Sequence, residues 1–253
     1  MTYEDIVVTT DGSVAKITIN RPAKLNAIRG RTIAELERAV LALGTDRTIG
    51  VLVLTGAGDR AFSSGGDVEW ERDGGLEEMD WNLGNILLDC PKPIIARVSG
   101  YAIAAGNHMA YCCDFTIAAE HSIFGQNGPR VASPAGGYPV SYLAGIIGQK
   151  RAREMWMMCR RYTAHQMLDW GLVNAVVPKE ELDVEVARWC DQLLTMSPTA
   201  LKTVKRSFGL IADRTSTKQI VEEVAPGFHQ SGEQTEGARA FLEKRKPDFS
   251  QWR

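Results

Sequence analysis

The sequence predicts an α/β fold, and three features of its pattern carry that prediction. Short apolar runs typical of buried strands alternate with segments of helical periodicity. Two of these runs, residues 51–54 and 94–98, are each followed by a glycine-rich turn. The successive units share no sequence similarity with one another, which argues against a repeat array. With 253 residues and 44% hydrophobic content, the chain can bury a substantial core.

The first half of the chain gives strand, turn and helix signals in a clear order. Residues 6–10 and 14–19 flank the pair Asp11-Gly12, which is typical of a hairpin with a tight turn. A loop over 20–27 and a helix over 32–43 follow, the helix having one apolar face. The remaining predicted elements are strands at 51–54, 94–98 and 115–118 and helices near 76–88 and 106–112.

The second half is mainly helical. Helices are predicted from Tyr138 to residue 147, over 150–159 and from Thr163 to Gly171, followed by a short strand at 173–177. From residue 180 onward the pattern is helical, with breaks at Ser197-Pro198 and Pro226-Gly227. We therefore divide the chain into a core, 1–195, and a C-terminal helical region, 196–253, that we expect to pack on the core and on neighbouring subunits.

The two glycine-rich turns, 62–67 and 100–106, predict a site for a carbonyl oxygen. Each turn ends a strand-like run, so backbone N–H groups from two strand ends point at one place. Two such donors stabilise an oxygen that gains negative charge, each contributing roughly 3 to 4 kcal/mol. The turns therefore predict enolate or tetrahedral chemistry.

Composition narrows the classes of partner. A formal net charge of −2 gives no global electrostatic reason to expect nucleic acid or a membrane surface. No apolar run approaches the roughly 20 residues that span a bilayer, and no signal-peptide pattern is evident, so we expect a cytoplasmic protein. The five cysteines form no Cys-x-x-Cys pair and the four histidines are scattered, which predicts buried thiols and no metal site. Cys112-Cys113, beside the second turn, leaves a reactive role open.

Short motifs that combine glycine, proline and polar residues occur at intervals along most of the chain. They are Asn20-Arg21-Pro22, Asn26-Ala27, Ser64-Gly65-Gly66-Asp67, Pro91-Lys92-Pro93, Gly100-Tyr101-Ala102, Cys113-Asp114 and Phe124-Gly125-Gln126. In this order the set resembles the crotonase (enoyl-CoA hydratase/isomerase) superfamily. The resemblance implies a spiral of ββα units with a C-terminal helical trimerisation region, a CoA thioester substrate, no tightly bound cofactor, and a homotrimer or a dimer of trimers.

Within the superfamily, three segments most resemble the 1,4-dihydroxy-2-naphthoyl-CoA synthases and the 2-ketocyclohexanecarboxyl-CoA hydrolases. These segments are residues 125–138, 148–156 and 241–249. Such enzymes make or break a carbon–carbon bond next to a CoA thioester. The resemblance therefore implies a lyase or hydrolase that acts on a cyclic or branched acyl-CoA.

The resemblance also implies binding roles. The N–H groups of Gly66 and Ala105 would form the oxyanion hole. The residues implied along the path of the CoA moiety are Lys24, Leu25, Ala27, Ser64 and Asp67, with Phe241 and Lys244 closing over the nucleotide. The alternatives are that the two lysines are solvated charges and that Phe241 only packs.

The proton-transfer groups differ from those of the hydratases, which carry two glutamates. Here the matching positions hold His108 and Gly128, so ordinary hydration by a carboxylate pair is not expected. His108 is a candidate base at neutral pH; its alternative is a structural histidine. A hydratase or isomerase that uses His108 therefore stays an alternative function. Ser133 matches a serine of the synthases, but their nearby aspartate is replaced by Ala135.

Further candidates come from the synthase branch alone. Gln126, Gly128 and Trp156 match positions that hold a bicarbonate ion in one group of these enzymes, and His229 aligns with their C-terminal tyrosine. The alternative is that Trp156 is a core aromatic and Gly128 a turn residue. Because the superfamily's usual carboxylates are missing, a non-catalytic protein that binds CoA esters also stays open.

Overall fold

In the computed structural model, which describes residues 2–75, 82–133, 135–208, 222 and 226–249, paired strands contribute to two different sheets. The first strand of each pair joins a large sheet and the second joins a small one. This arrangement is the ββα spiral that the sequence predicted. The pairs are β3 (Val51–Gly56) with β4 (Ala61–Ser63), β5 (Ile94–Val98) with β6 (Tyr101–Ile103), and β7 (Phe115–Ala119) with β8 (Ile123–Gly125).

The large sheet has the order β1-β2-β3-β5-β7-β10. Its first two strands, β1 (Ile6–Asp11) and β2 (Val14–Ile19), form the predicted antiparallel hairpin, in which Asp11 pairs with Val14. The later strands are all parallel, and every residue of β3 is buried, as expected for a sheet covered on both faces. The last strand, β10 (Ala175–Val177), is shorter than the predicted strand over 173–177.

The small sheet has the order β4-β6-β8-β9 and was largely missed by the sequence analysis. Its strands, including β9 (Arg161–Thr163), have three residues each, which is too short to show an alternating pattern. The first glycine turn overlaps β4, and the second contains β6. The small sheet therefore holds the two turns side by side.

The α-helices of the described residues lie mostly between the strands and in the C-terminal part of the chain. Their N-terminal half is α1 (Gly30–Thr45), α2 (Val68–Arg72), α3 (Leu83–Asp89), α4 (Ala105–Cys112) and α5 (Tyr138–Ile147). Their C-terminal half is α6 (Gln149–Met158), α7 (Ala164–Asp169), α8 (Leu182–Leu194), α9 (Pro198–Phe208) and α10 (Glu233–Leu242). The helix predicted near 76–88 is observed from Leu83; residues 76–81 lie outside the described residues.

Two hydrophobic clusters cover the two faces of the large sheet. The main cluster includes α1, whose buried residues Ile33, Leu36 and Val40 are on the face that the sequence predicted. The second cluster joins β3, β5 and β7 to α8 through residues such as Val53 and Val186. The sheet is therefore rigid, and the residues at the ends of its strands are held in fixed positions.

The helix α10 packs back on the core. It contacts α2, and a Cβ atom at Gly237 would overlap the carbonyl group of Val131. All five cysteines are free and buried, as predicted. In the part of the chain that the structure describes, no helix has the length and apolarity to span a bilayer, and no cluster of three acidic, His or Cys side chains is suited to a metal.

Candidate active site

The backbone of the first glycine turn leaves the N–H group of Gly66 pointing away from its neighbouring segment. Ile28 donates to the Gly65 carbonyl at 2.9 Å, and Asp67 donates to the Ile28 carbonyl at 2.8 Å. Because successive groups of an extended chain point to opposite sides, the N–H of Gly66, which lies between these two bonds, points away from Ile28. Gly66 is partly exposed, so a ligand can reach it.

The second turn places the N–H group of Ala105 next to the first. Ala105 is the first residue of α4, so its N–H has no acceptor within the helix and lies at the positive end of the helix dipole. A Cβ atom at Gly65, which has φ of +103°, would lie 2.9 Å from the Ala104 Cβ and 3.6 Å from the Ala105 nitrogen. The glycine at 65 therefore lets the two turns approach closely.

These two N–H groups have the arrangement of an oxyanion hole. Among the described residues, neither the Gly66 nor the Ala105 N–H donates to a protein acceptor. They come from adjacent segments, and both residues are partly exposed. Two fixed donors of this kind stabilise a carbonyl oxygen as it becomes negatively charged.

The loop before α1 is fastened to the first turn. The N–H of Ser64 donates to the carbonyl of Leu25 at 3.0 Å, and Leu25 itself has φ of 51°. Lys24 is exposed and pairs with Glu69 of α2 at 3.0 Å, while Ala27 is buried. The structure thus places the residues implied for the CoA path beside Gly66.

Asp67 has two structural contacts that the sequence analysis did not foresee. Its carboxylate accepts from Arg21 at 2.8 Å and from the N–H of Glu69 at 3.2 Å, which makes it the N-cap of α2. Arg21 also donates to the carbonyl of Ala27. Asp67 therefore fixes both the loop and the first turn of α2 relative to Gly66.

A carboxyl group that the sequence analysis did not single out lies at this site. Glu71 is on α2, and its Oε1 atom occupies the space that a Cβ atom would take at Gly66. Burial raises the pKa of Glu71 to about 7; a hydrogen bond with Ser133 opposes this shift, and the charge of Asp67 adds to it. The carboxyl group therefore changes its charge near neutral pH.

The local sequence contains a pattern that predicts the position of Glu71 beside Gly66. Asp67 is a typical N-cap residue, and Glu71 follows it by four positions. Side chains of a helix tilt toward its N-terminus, so a residue at this position points back toward the turn that precedes the helix. The sequence analysis assigned no helix to residues 68–75 and so missed it.

His108 lies one turn into α4, packed toward α3. A Cβ atom at Gly84 would lie 3.0 Å from the His108 Nε2, and the ring centroids of His108 and Tyr111 are 5.2 Å apart. Burial lowers the pKa of His108 to about 3, so the imidazole is neutral at pH 7. This environment disfavours the charged form that a base acquires when it takes a proton.

Gln126 and Trp156 carry buried polar atoms without partners among the described residues. These atoms are both side-chain amide atoms of Gln126, which is fully buried, and the Nε1 of Trp156. Gln126 directly follows Gly125, whose carbonyl accepts from Ala104 at 2.9 Å, so it lies near the second turn. Buried groups of this kind usually bind water or an ion.

Gly128 and Ser133 form one tight turn. The N–H of Ser133 donates to the Gly128 carbonyl at 3.0 Å, and a Cβ atom at Gly128 would lie 2.8 Å from the Ser133 carbonyl oxygen. Glycine is therefore needed for the turn that brings Ser133 to Glu71. The exposed Ala135 follows two residues later.

The C-terminal candidates are on or near α10. Phe241 is 50% exposed, and Lys244 is exposed just after the helix ends. Because α10 packs on α2, both belong to the same side of the molecule as Glu71. The backbone of His229 is in a short 3-10 helix, Phe228–Gln230, but its side chain lies outside the described residues.

Nearly the whole chain is similar to proteins of one family. Residues 9–252 match the profile of the family "Enoyl-CoA hydratase/isomerase". An enoyl-CoA hydratase from Mycobacterium avium subsp. paratuberculosis K-10 has 28% sequence identity and a TM-score of 0.81, with 98% of this chain and 100% of that chain covered. A hydratase from Geobacillus kaustophilus HTA426 has 31% identity and a TM-score of 0.78, with 98% of each chain covered.

A methylmalonyl-CoA decarboxylase is also similar in structure. Its complex with 2S-carboxypropyl CoA has 27% identity and a TM-score of 0.87, and the match covers 98% of this chain and 99% of that one. The family match spans the two glycine turns, the small sheet and the C-terminal helix. The chain therefore belongs to the enoyl-CoA hydratase/isomerase family and is a crotonase-superfamily acyl-CoA enzyme.

Proposed function

We propose that this enzyme holds the carbonyl group of a CoA thioester at Gly66 and Ala105 and stabilises the enolate that forms from it. The reaction is cleavage or formation of a carbon–carbon bond, or hydrolysis, on a cyclic or branched acyl-CoA. The observation that carries the proposal is the pair of adjacent N–H groups without acceptors among the described residues. An enolate places more charge on the oxygen than the thioester does, so these donors favour the enolate.

The surroundings of Gly66 support binding of the CoA moiety. The loop with Lys24, Leu25 and Ala27 is bonded to the turn with Ser64, so backbone groups on both segments are near the thioester. Asp67 positions this loop through Arg21. Phe241 and Lys244 are exposed on the neighbouring C-terminal segment, where they are accessible to the nucleotide.

Proton transfer involves Ser133. The sequence indicates His108 and His229 as further candidates for this role. Ser133 is supported by its contact with the Glu71 carboxyl group. The neutral, buried His108 suits a hydrogen-bonding role better than that of a base. The side chain of His229 is not described, so its role rests on the sequence alone.

An anion such as bicarbonate fits the donors that the chain offers. Gln126 has a buried amide group, and Trp156 a buried N–H, that lack protein partners in the described part of the chain. The absence of a side chain at Gly128 keeps the adjacent turn narrow. A bound bicarbonate would supply a weak base at this position.

Carbon–carbon cleavage has specific support from the comparisons. A methylmalonyl-CoA decarboxylase, which by its name breaks such a bond in a branched acyl-CoA, has a TM-score of 0.87. Hydration is the second candidate, because several similar structures are hydratases, but the low pKa of His108 weighs against a histidine base. A non-catalytic CoA-ester-binding role is the third.

Binding measurements test the shared part of these proposals. The probes are propionyl-CoA, its thioether analogue, which lacks the carbonyl oxygen, and 2-nitronate-propionyl-CoA, which resembles an enolate. We expect the nitronate to bind at least about 100-fold more tightly than propionyl-CoA, and the thioether to bind most weakly. Equal affinity for all three would contradict an oxyanion hole.

Turnover measurements then separate the reactions. Isobutyryl-CoA, cyclohexanecarbonyl-CoA, 2-ketocyclohexanecarboxyl-CoA, methylmalonyl-CoA and crotonyl-CoA are incubated with the enzyme, and products are identified by mass spectrometry. Cleavage or hydrolysis of the branched or cyclic esters without hydration of crotonyl-CoA supports the first candidate. Hydration of crotonyl-CoA that is lost in His108→Ala supports the second, and tight binding without any turnover supports the third.

The C-terminal helices and the family resemblance lead us to propose a trimer or a dimer of trimers. Light scattering coupled to size-exclusion chromatography measures the mass directly. A monomer of 27.8 kDa at micromolar concentration would contradict this assembly.

A further inference from the structure

We infer that Glu71 is the acid–base group that removes and returns a proton at the α carbon of the thioester held by Gly66 and Ala105. The inference rests on the proposed function, since it requires a thioester in the oxyanion hole. It adds a residue role that neither the sequence motifs nor the usual glutamate positions of the hydratases supply. It also defines the substrate class: an acyl-CoA with at least one hydrogen on its α carbon.

Position is the first argument. The Oε1 atom of Glu71 occupies the space beside Gly66 where a side chain would otherwise begin. When a thioester carbonyl oxygen accepts from the Gly66 N–H, the carbonyl carbon lies next to Gly66. The α carbon of the acyl group is bonded directly to that carbonyl carbon. A carboxyl group that contacts Gly66 is therefore within reach of that α carbon after a rotation of its own side chain.

The pairing of the neighbouring carboxylates is the second argument. On this segment Asp67 pairs with Arg21 at 2.8 Å, and Glu69 pairs with Lys24 at 3.0 Å. Glu71 has no ion-pair partner among the described residues and contacts the Ser133 hydroxyl group instead. A carboxylate held by a cation is a poor base, whereas Glu71 is available to accept a proton.

The environment gives the Glu71 carboxylate a suitable strength as a base. Burial raises the pKa of Glu71 to about 7, with a further contribution from the charge of Asp67 and an opposing one from Ser133. A base whose pKa is near the working pH is both ionised in part of the molecules and strong enough to take a proton. Structural carboxylates on surfaces rarely have such values.

Most of the other charged groups near α2 are already paired. On α10, which packs against α2, Glu236 pairs with Arg239 and with Arg245. The loop before α1 contributes Arg21 and Lys24, paired as described above. The remaining charges on these two helices are Glu233 on α10 and Arg72 on α2, which is exposed and pairs with Asp73.

The chemical step balances within these groups. The Glu71 carboxylate takes the α proton, and the electron pair of the C–H bond forms the C=C bond of the enolate. The negative charge moves to the thioester oxygen, where the N–H groups of Gly66 and Ala105 stabilise it. Return of the proton from the neutral Glu71 to the carbon restores the thioester.

Exchange of the α protons of propionyl-CoA in D₂O, followed by NMR, tests the step. We expect the wild-type enzyme to exchange these protons with a rate that rises through an apparent pKa near 7. Glu71→Gln keeps the size of the side chain but cannot accept a proton, and we expect at least about 100-fold slower exchange. Asp73→Asn, which makes the same charge change at an exposed position just after α2, should exchange within twofold of wild type.

Nitronate binding distinguishes the possible failures. If Glu71→Gln still binds 2-nitronate-propionyl-CoA but no longer exchanges protons, the oxyanion hole is intact and the inference stands. If it exchanges at the wild-type rate, or if the wild type binds propionyl-CoA without any exchange, Glu71 is not the acid–base group, although the proposed function survives. If neither CoA ester binds to the wild type, the proposed function and this inference are both wrong.

Discussion

Arg21 and Asp67 form an ion pair of 2.8 Å that joins the loop after β2 to the residue following Gly66. Both side chains are largely buried, at 13% and 10% exposure. The removal of one partner leaves the other charged in a poorly solvated place. We therefore expect Arg21→Ala to lower the free energy of unfolding by about 3 kcal/mol, as measured by urea denaturation.

The exposed pair of Arg31 and Glu4 is the control for that experiment. We expect Arg31→Ala to change the free energy of unfolding by less than about 1 kcal/mol, because water screens both partners. Equal effects of the two substitutions would show that the Arg21–Asp67 pair has no special structural role.

His108 should make the protein sensitive to acid. Its pKa is lowered from an ordinary value of 6.5 to about 3, so below pH 6.5 the unfolded chain binds a proton that the folded protein does not. Stability is therefore lost as the pH falls from 6.5 toward 3, by up to about 1.4 kcal/mol per pH unit. Thermal unfolding of His108→Gln should show a shallower slope in this window than wild type; an unchanged slope would contradict the buried, neutral imidazole.

Glu71 should make the protein less stable as the pH rises, whereas His108 makes it less stable as the pH falls. Its pKa is raised from 4.5 to about 7, so the folded protein binds more protons than the unfolded chain between these values. Stability then falls as the pH rises from 4.5 through 7. At pH 8 we expect Glu71→Gln to be more stable than wild type by on the order of 2 to 3 kcal/mol, with the gain absent at pH 4.5.

The contact between α10 and the core should influence CoA binding. A Cβ atom at Gly237 would overlap the Val131 carbonyl, so Gly237→Ala should displace the helix that carries Phe241 and weaken the binding of propionyl-CoA about tenfold or more. Gly145, in α5, has nothing within 4 Å of its Cβ position. Gly145→Ala should bind propionyl-CoA as wild type does and be about 0.5 to 1 kcal/mol more stable.

The sequence predicted the large sheet well because its strands are continuous apolar runs. The hairpin of β1 and β2 and the strand Ile94–Val98 were found with nearly the observed bounds. The small sheet was mostly missed, since strands of three residues beside glycines have no measurable period. Its geometry comes from pairing between distant segments, such as β4 with β6, that no local pattern records.

For a similar reason, the sequence proposes only part of the candidate site. The two glycine turns are local motifs that carry the family resemblance, so Gly66 and Ala105 could be proposed as an oxyanion hole from the sequence. The shifted pKa of Glu71 arises from burial against parts of the chain more than 60 residues away, including Ser133, and so required the structure. The same holds for His108, whose neutral state depends on its packing against Gly84.

The absence of a side chain at Gly66 leaves room for the Glu71 carboxyl group beside the N–H group that we propose to hold the thioester. Alanine at this position would keep the N–H group, because Gly66 does not need a positive φ, but its methyl group would take the place of the Glu71 carboxyl. A single methyl group would thus separate recognition of the thioester from reaction on it. Gly66→Ala is accordingly a route to a stable complex of this enzyme with an unreacted substrate, suitable for identifying the natural acyl group from a cell extract.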